Sequence, residues 1–329
     1  MANIRDVAEK AGVSIATVSR VLNNREEVSP ETRTRVEKVI AEIGYQPNLL
    51  GRNLRRSETR MILVSLYSMS NPFYSRVVRG IEEGGRERDY NILIYNNNGD
   101  PDRERLYLGL LENRLVDGVI LMSPQLPAGE LVRIGKEYPL IQCCEYIEDI
   151  SVPRVSVDNV AAARTAVEHL IERGHRRIAM IGGPREVLSA VQREEGYRQA
   201  LEENGLPYDP DLIISGYYTN KGGERAAREL LARRERPTAI FAISDMMAVG
   251  AVMAARDAGL KIPEDMAVVG FDNSEISAIY DPSLTTISQP RYDLGRLTVD
   301  LLIEIINGDG LEKKEYQLEH ELIIRESSL

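Results

Sequence analysis

The distribution of apolar residues changes near residue 60. Before that point they recur at helical spacing: Ile4, Val7, Ala8 and Ala11 fall at i, i+3, i+4 and i+7, on one face of a helix. Gly12 can end that helix in a left-handed conformation. Ser14 then stands where a cap belongs for a second helix, "IATVSRVLN", whose inward face is Ala16 or Thr17 with Val18, Val21 and Leu22. In "SPET", Ser29 is the cap and Pro30 the first turn of a third helix, which runs from Thr32 to Ile43. Beyond residue 60 the apolar residues come in continuous short runs. "MILVSLY", "YNILIYNN", "VDGVILMS", "PLIQCCE" and "RVSVD" read as buried strands, followed by "RRIAMIGG", "LIISGYY", "TAIFAISD" and "MAVVGFD". Amphipathic stretches at 74–89, 160–173, 222–234 and 247–258 lie between them.

Three short helices with a glycine turn between the first two match the helix-turn-helix plan, in which the second helix enters the major groove. Ile15, Ala16, Ser19, Arg20 and Asn23 then face DNA. Arg20 can fork onto a guanine and Asn23 can bridge an adenine or a phosphate, while Ile15 and Ala16 offer apolar contact. The competing reading is a small helical bundle with a charged surface. Strand–helix alternation with continuously apolar strands predicts parallel sheets covered on both faces. At more than 250 residues, this part is long enough for two such lobes.

Ligands in open parallel sheets collect at the carboxyl ends of the strands. Polar and aromatic residues gather there: Ser68 to Tyr74, Ser123, Asp158, Ser189 with Arg193, Tyr218, Ser244 with Asp245, and Asp272 with Asn273. An arginine fork donating to ring oxygens and a carboxylate accepting from hydroxyls suit a sugar or nucleoside. Phe73, Tyr74 and Tyr218 offer faces for a ring. Each has an alternative: Asp272 capping the next helix, Arg193 bridging the lobes through a carboxylate, Phe73 and Tyr74 merely packing.

Charge sharpens this division. The chain has 329 residues and a formal net charge of −10, yet residues 1–60 hold 11 Lys and Arg against 8 Asp and Glu. A mildly basic head on an acidic body confines phosphate contact to the head. No apolar run approaches the roughly 18 residues of a membrane span and no secretory leader is evident, so a cytoplasmic protein without a membrane partner is expected. Cys143 and Cys144 are adjacent and read as strand residues, with neither a disulfide framework nor a metal site. "IGGP" lacks phosphate-loop spacing, and His169, His175 and His320 have no ligand or nucleophile spacing, so no enzyme, cofactor or metal is expected.

"IRDVAEKAGVSIATVSRVLN" and "VSPETRTRVEKVIAEIGYQPN" closely resemble the DNA-binding head of the lactose-repressor and galactose-repressor (LacI–GalR) family, and the resemblance continues along the chain. "SDMMAVG", "IPEDMAVVGFDNSEIS" and "DPSLTTISQPRYDLGR" are similar to its cytidine-responsive members. The resemblance implies base contacts from Ile4, Ile15, Ala16, Ser19, Arg20 and Asn23. It implies phosphate contacts from Asn3, Ser14, Thr17, Ser29, Thr32, Tyr45 and Asn48. Residues 48–56 would form a helix only when two subunits lie side by side on DNA, with Leu54 wedged into a minor-groove step and Arg52 near phosphate. The body would be similar to periplasmic sugar receptors, two doubly wound parallel α/β lobes joined by crossovers near 159, 289 and 320. Effector contacts would include Phe73, Tyr74, Ser123, Asp158, Ser189, Arg193, Tyr218, Asp245 and Asp272. Ser244 replaces the asparagine of several sugar-responsive relatives, which shifts the expectation toward a nucleoside or pentose.

The expected organisation is a helix-turn-helix head over 1–46, a hinge over 47–60 and an effector-binding and dimerisation domain over 61–329. Its first lobe takes 61–159 and 290–319, its second 160–289 and 320–329. The expected function is a ligand-responsive transcriptional regulator, most often a repressor, that binds a near-palindromic DNA operator as a homodimer. The C-terminal "ELIIRESSL" carries no heptad extension toward a tetramer. A sugar-binding transport receptor is the alternative, and a sugar- or nucleoside-processing enzyme the third.

Overall fold

The computed structural model describes residues 2–22, 27–45 and 58–329. The chain divides into two compact units, Met1–Thr59 and Arg60–Leu329.

The first unit holds α1 (Ile4–Ala11), α2 (Ile15–Leu22) and α3 (Pro30–Ile43). Asn3 caps α1 in a reciprocal capping box with Asp6, accepting from the Arg5 amide at 2.8 Å while its own amide donates to Asp6 at 2.8 Å. Gly12 ends α1 at φ 62°, the left-handed geometry its position predicted. Ser14 accepts from the Thr17 amide at 3.1 Å, and Ser29 from the Thr32 amide at 3.4 Å. Val7, Ala8, Ala11, Val18, Val21, Val36 and Val39 form the core of this unit. Thr17 is half-buried and Ala16 exposed, so Thr17 is the residue that joins Val18 and Val21 on the inner face.

In the second unit the first sheet is built from β1 (Met61–Leu66), β2 (Asn91–Asn96), β3 (Gly118–Leu121), β4 (Leu140–Cys143) and β5 (Arg154–Val157). Helices α4 (Pro72–Arg86), α5 (Pro101–Glu112) and α6 (Ala128–Glu137) connect them. The second sheet uses β6 (Ile178–Gly182), β7 (Ile213–Ser215), β8 (Ala239–Ala242), β9 (Ala267–Asp272) and β10 (Thr285–Ser288). Its helices are α7 (Asn159–Glu172), α8 (Leu188–Glu203), α9 (Asn220–Leu231), α10 (Asp245–Asp257) and α11 (Glu275–Ile279). The chain returns through α12 (Arg291–Asn307) to β11 (Glu315–Leu318) in the first sheet, then to β12 (Glu321–Ile323) in the second. The sheet orders are β11-β5-β4-β3-β1-β2 and β12-β10-β9-β8-β6-β7. Every pairing is parallel except β10 with β12, an antiparallel edge that the apolar pattern did not announce. In each sheet the order reverses at the first strand, β1 or β6, which puts a topological switch point between β1 and β3 and between β6 and β8.

β1, β3, β4, β6, β8 and β9 are buried almost throughout, as their continuous apolar runs predict. β2 differs. "YNILIYNN" reads as a buried strand but lies at the sheet edge, with Leu93 39% and Ile94 44% exposed. The helices begin one to two residues earlier than their apolar periodicity suggests, because capping side chains set their starts: Asn71, Asp158, Thr219 and Ser244 each accept a first-turn amide. α12 packs against α4 through glycines on both sides. A Cβ on Gly80 would lie 2.2 Å from the Tyr292 carbonyl oxygen, and one on Gly295 would lie 2.0 Å from that of Val77.

Candidate functional site

In the head, Ile15, Ala16 and Arg20 are exposed on α2 and Ser19 is half-buried beside them, so the four residues share the outward face. The Arg20 guanidinium lies 3.5 Å from Glu27. Asn3, Ser14, Ser29 and Thr32 cluster at helix starts, where their side chains also serve the caps described above. Ser14 and Thr17 share a hydroxyl–hydroxyl hydrogen bond of 2.9 Å. Ile4 and Tyr45 are half-buried and pack on the head core, which leaves only part of each for contact. Asn23, Asn48, Arg52 and Leu54 lie outside the described residues.

In the body, the switch points place two helix starts at the mouths of the sheets. α4 follows β1 and carries Phe73 and Tyr74 in its first turn, rings 5.5 Å apart and edge to face. α8 follows β6 and carries Ser189 and Arg193. The residues that meet Tyr74 come from both lobes. Burial, then the charges of Glu145, Cys144, Tyr218 and Asp272, push its phenol well above the ordinary value. Tyr218 is pushed up to about 12 by burial, with Arg193 opposing.

Arg193 is buried and held on three sides. Its Nε donates to Asn159 Oδ1 at 3.0 Å, one Nη donates to the Ile243 carbonyl at 2.7 Å, and its plane lies over the Phe271 ring. Asp272 is raised to about 7, chiefly by burial, with Arg193 pulling down and Asp245 pushing up. One of its oxygens accepts from Gln289 Nε2 at 2.8 Å. Arg291 Nη donates to the Asn273 carbonyl at 2.7 Å, tying the crossover to the same corner. Left-handed backbone at non-glycine residues concentrates here: Cys144 at φ 70°, Tyr217 at 51°, Tyr218 at 56°, Asp272 at 106° and Asn273 at 49°. Such conformations cost about 1–3 kcal/mol each and collect at functional sites.

Two expected crevice residues are engaged in bonds within the fold. Asp245 is spent internally: Ser274 donates to one oxygen through its amide and its hydroxyl, and Thr286 to the other at 2.6 Å. These donors take three of the four lone-pair sites of a carboxylate that is 1% exposed, and burial raises it to about 6. Asp158 caps α7 through the Ala161 amide at 2.9 Å. It lines a cavity of about 430 Å³ with Gln317, Leu318, Glu319 and His320 at the crossover. Ser123 is buried at the end of β3, its hydroxyl accepting from Gln125 at 3.1 Å. Cys143 ends β4, but Cys144 lies beyond it; the sulfurs are 3.5 Å apart and both thiols are free.

Sequence reasoning missed Glu145, Asn159, Gln192, Gln289 and Arg291. Glu145 accepts from the Ser189 amide at 3.1 Å and from its hydroxyl. The signal for Gln289 and Arg291 was available: both flank Pro290 directly after an apolar strand, at a crossover. Among the described residues no cluster of His, Cys, Asp or Glu could hold a metal ion, and no helix is long and apolar enough to cross a membrane.

Comparison with known proteins accounts for both units. Residues 3–48 match the bacterial regulatory proteins of the lacI family, and residues 59–326 match periplasmic binding proteins and the sugar binding domain of the LacI family. The chain is 40% identical to the HTH-type transcriptional repressor CytR of Escherichia coli (strain K12), over 99% of this chain and 96% of that protein. It is 36% identical to catabolite control protein A of Priestia megaterium, over 99% and 98%. Among solved structures, the lac repressor dimer bound to operator and the anti-inducer ONPF superposes with a TM-score of 0.91 at 29% identity, covering 100% of this chain and 99% of that one. These relatives are transcriptional regulators, not enzymes. The chain belongs to the LacI family: it is a DNA-binding transcriptional repressor with a helix-turn-helix head and an effector-binding body of the periplasmic-binding-protein type.

Proposed function

We propose that the protein acts in the cytoplasm as a homodimer on a near-palindromic operator, and that a neutral sugar or nucleoside in the inter-lobe crevice sets its operator affinity. The observation that carries the effector reading is the convergence of Tyr74 from one sheet's switch point with Arg193, Tyr218 and Asp272 from the other. Aromatic faces, a fixed arginine and a carboxylate with one oxygen free suit a hydroxyl-bearing ring. In the head, Arg20 and Ser19 read bases beside the apolar Ile15 and Ala16, with Asn3, Ser14, Thr17, Ser29, Thr32 and Tyr45 positioning the head on phosphates. The segment 47–60 is the hinge, and Leu54 its wedge.

Dimer formation is supported by the exposed edge of the first sheet. Leu93 and Ile94 leave the β2 edge apolar and uncovered, and Leu106 on α5 is 70% exposed. A second copy of this chain covers it, and the relative solved with its operator is a dimer. A thermal-shift screen of the full chain against pentoses, hexoses, ribonucleosides and purine bases tests the effector. A ligand that binds only the folded state raises the melting temperature by mass action. A rise with nucleosides or ribose supports the reading; silence across the panel refutes it and leaves the family assignment intact.

A further inference from the structure

Helix α8 lacks a cap of its own. α4, α5, α7, α9 and α10 start with Asn71, Asp100, Asp158, Thr219 and Ser244, each of whose side chains accepts a first-turn amide, whereas α6, α11 and α12, like α8, start without a side-chain cap of their own. α8 follows Val187, which has no such group, and no acidic residue stands in its first turn. The missing acceptor comes from the opposite lobe. Glu145, just beyond β4 of the first sheet, accepts from the Ser189 amide at 3.1 Å with one oxygen and from the Ser189 hydroxyl with the other. One turn along, Gln192 Nε2 donates to the Tyr146 hydroxyl at 3.0 Å and to Glu148 at 3.3 Å. Ser189 and Gln192, one turn apart on α8, therefore both grip segment 145–148.

We infer that Glu145 is a positioning residue that latches the lobes, capping α8 from across the crevice. A carboxylate at a helix start meets unsatisfied amides and the positive end of the helix dipole, so the contact favours closure. The grip lies within the candidate crevice. Tyr74 feels the Glu145 charge, and the Tyr218 hydroxyl is 3.5 Å from that of Ser189. On the effector reading above, a ligand entering this space must replace the latch. A single hydroxyl can do so, since it donates to Glu145 and accepts from the Ser189 amide.

The test needs no effector: hydrogen exchange on the full chain, comparing wild type with Glu145→Gln, Glu145→Ala and Ser189→Ala. The latch predicts about fivefold faster exchange over residues 188–192 in Glu145→Ala, with a smaller effect in Glu145→Gln, which keeps one acceptor. Residues 144–148 accelerate with them and the radius of gyration by small-angle scattering grows, while the first turn of α9, capped by its own Thr219, is unchanged. Acceleration confined to 188–192 with an unchanged radius would overturn the latch in favour of an ordinary cap, and no acceleration would overturn both. If Glu145→Ala does not fold, Glu145→Gln decides by the same criteria at smaller amplitude, while Ser189→Ala removes only the hydroxyl bond and keeps the amide that Glu145 accepts from. Because no ligand enters, a negative result leaves the effector reading standing, and a silent thermal-shift screen leaves the latch standing.

Discussion

The guanidinium carbon of Arg193 lies 3.7 Å from the centre of the Phe271 ring. Phe271 belongs to β9 and Arg193 to α8, so the stack ties the helix after β6 to the strand that ends in Asp272. With Nε on Asn159 and one Nη on the Ile243 carbonyl, the fork is fixed in rotation as well as position. A lysine keeps the charge but cannot make both bonds while lying flat on the ring. Arg193→Lys is therefore expected to lower affinity for the effector by at least about tenfold, a loss of about 1.4 kcal/mol. Operator affinity without effector should stay within about twofold. Fluorescence anisotropy on a labelled operator, titrated with the ligand found by thermal shift, reads both; an unchanged midpoint would remove Arg193 from the site.

On the proposed effector reading, Asp272 should make binding depend on pH. Burial raises its carboxyl to about 7, and Gln289 occupies one oxygen, leaving the other to accept from a ligand hydroxyl. The ionised form is the stronger acceptor, and its share falls about tenfold between pH 8 and pH 6 for a group titrating near 7. Effector affinity should therefore weaken by up to about tenfold over that interval. Asp272→Asn should bind more weakly at pH 8 and lose the dependence. Calorimetric titrations at the two pH values check it, and a slope that persists in Asp272→Asn would assign the proton elsewhere.

On the head, Arg20 and Glu27 form an exposed pair at 3.5 Å, of a kind that contributes little to stability. Its interest is in recognition, since the guanidinium must leave Glu27 to reach a guanine. Arg20→Ala should cost about 1–3 kcal/mol at one operator position while leaving nonspecific binding nearly unchanged. Glu27→Gln should tighten binding to any duplex, because a carboxylate beside phosphates is removed. Competition with operators substituted one base pair at a time distinguishes the two. Equal weakening at every position in Arg20→Ala would make Arg20 a phosphate contact.

Much of this architecture was legible because burial on both sheet faces leaves continuous apolar runs, and because Gly12 and Ser29 mark helix ends by chemistry that packing does not override. The crevice was legible only in part. "PLIQCCE" reads as one strand, yet pairing stops at Cys143 and a left-handed Cys144 redirects the chain, so Glu145 leaves the sheet to meet Ser189. A left-handed cysteine carries no sequence signal, unlike the left-handed Asn273, whose residue type favours that conformation. Asp245 is ambiguous for a different reason: an aspartate just beyond a strand looks the same whether it faces a ligand or, as here, Ser274 and Thr286 from later in the chain. Both cases are long-range pairings, which local periodicity does not encode.

Glu104 on α5 offers a stability test apart from any ligand. Its side chain is 1% exposed, one oxygen accepts from the Gln125 amide at 2.7 Å, and the other, Oε1, has no hydrogen-bond partner. Burial raises its carboxyl from 4.5 to about 7, against the opposing pull of the Gln125 and Leu126 amides. A carboxyl whose folded value lies above its unfolded value stabilises the fold fully below the unfolded value, and that stability is lost as pH rises through the folded one. Between about pH 4.5 and 7 wild type should therefore lose on the order of 2 kcal/mol from this group. Asp245 and Asp272, raised to about 6 and about 7, add losses of the same sign, so the test is the difference between variant and wild type. Glu104→Gln keeps the shape and the acceptor for Gln125 without the charge. Its melting temperature relative to wild type should rise steadily from pH 5 to pH 8, and denaturant midpoints should follow. Parallel curves would show that the Glu104 carboxyl does not titrate in this window.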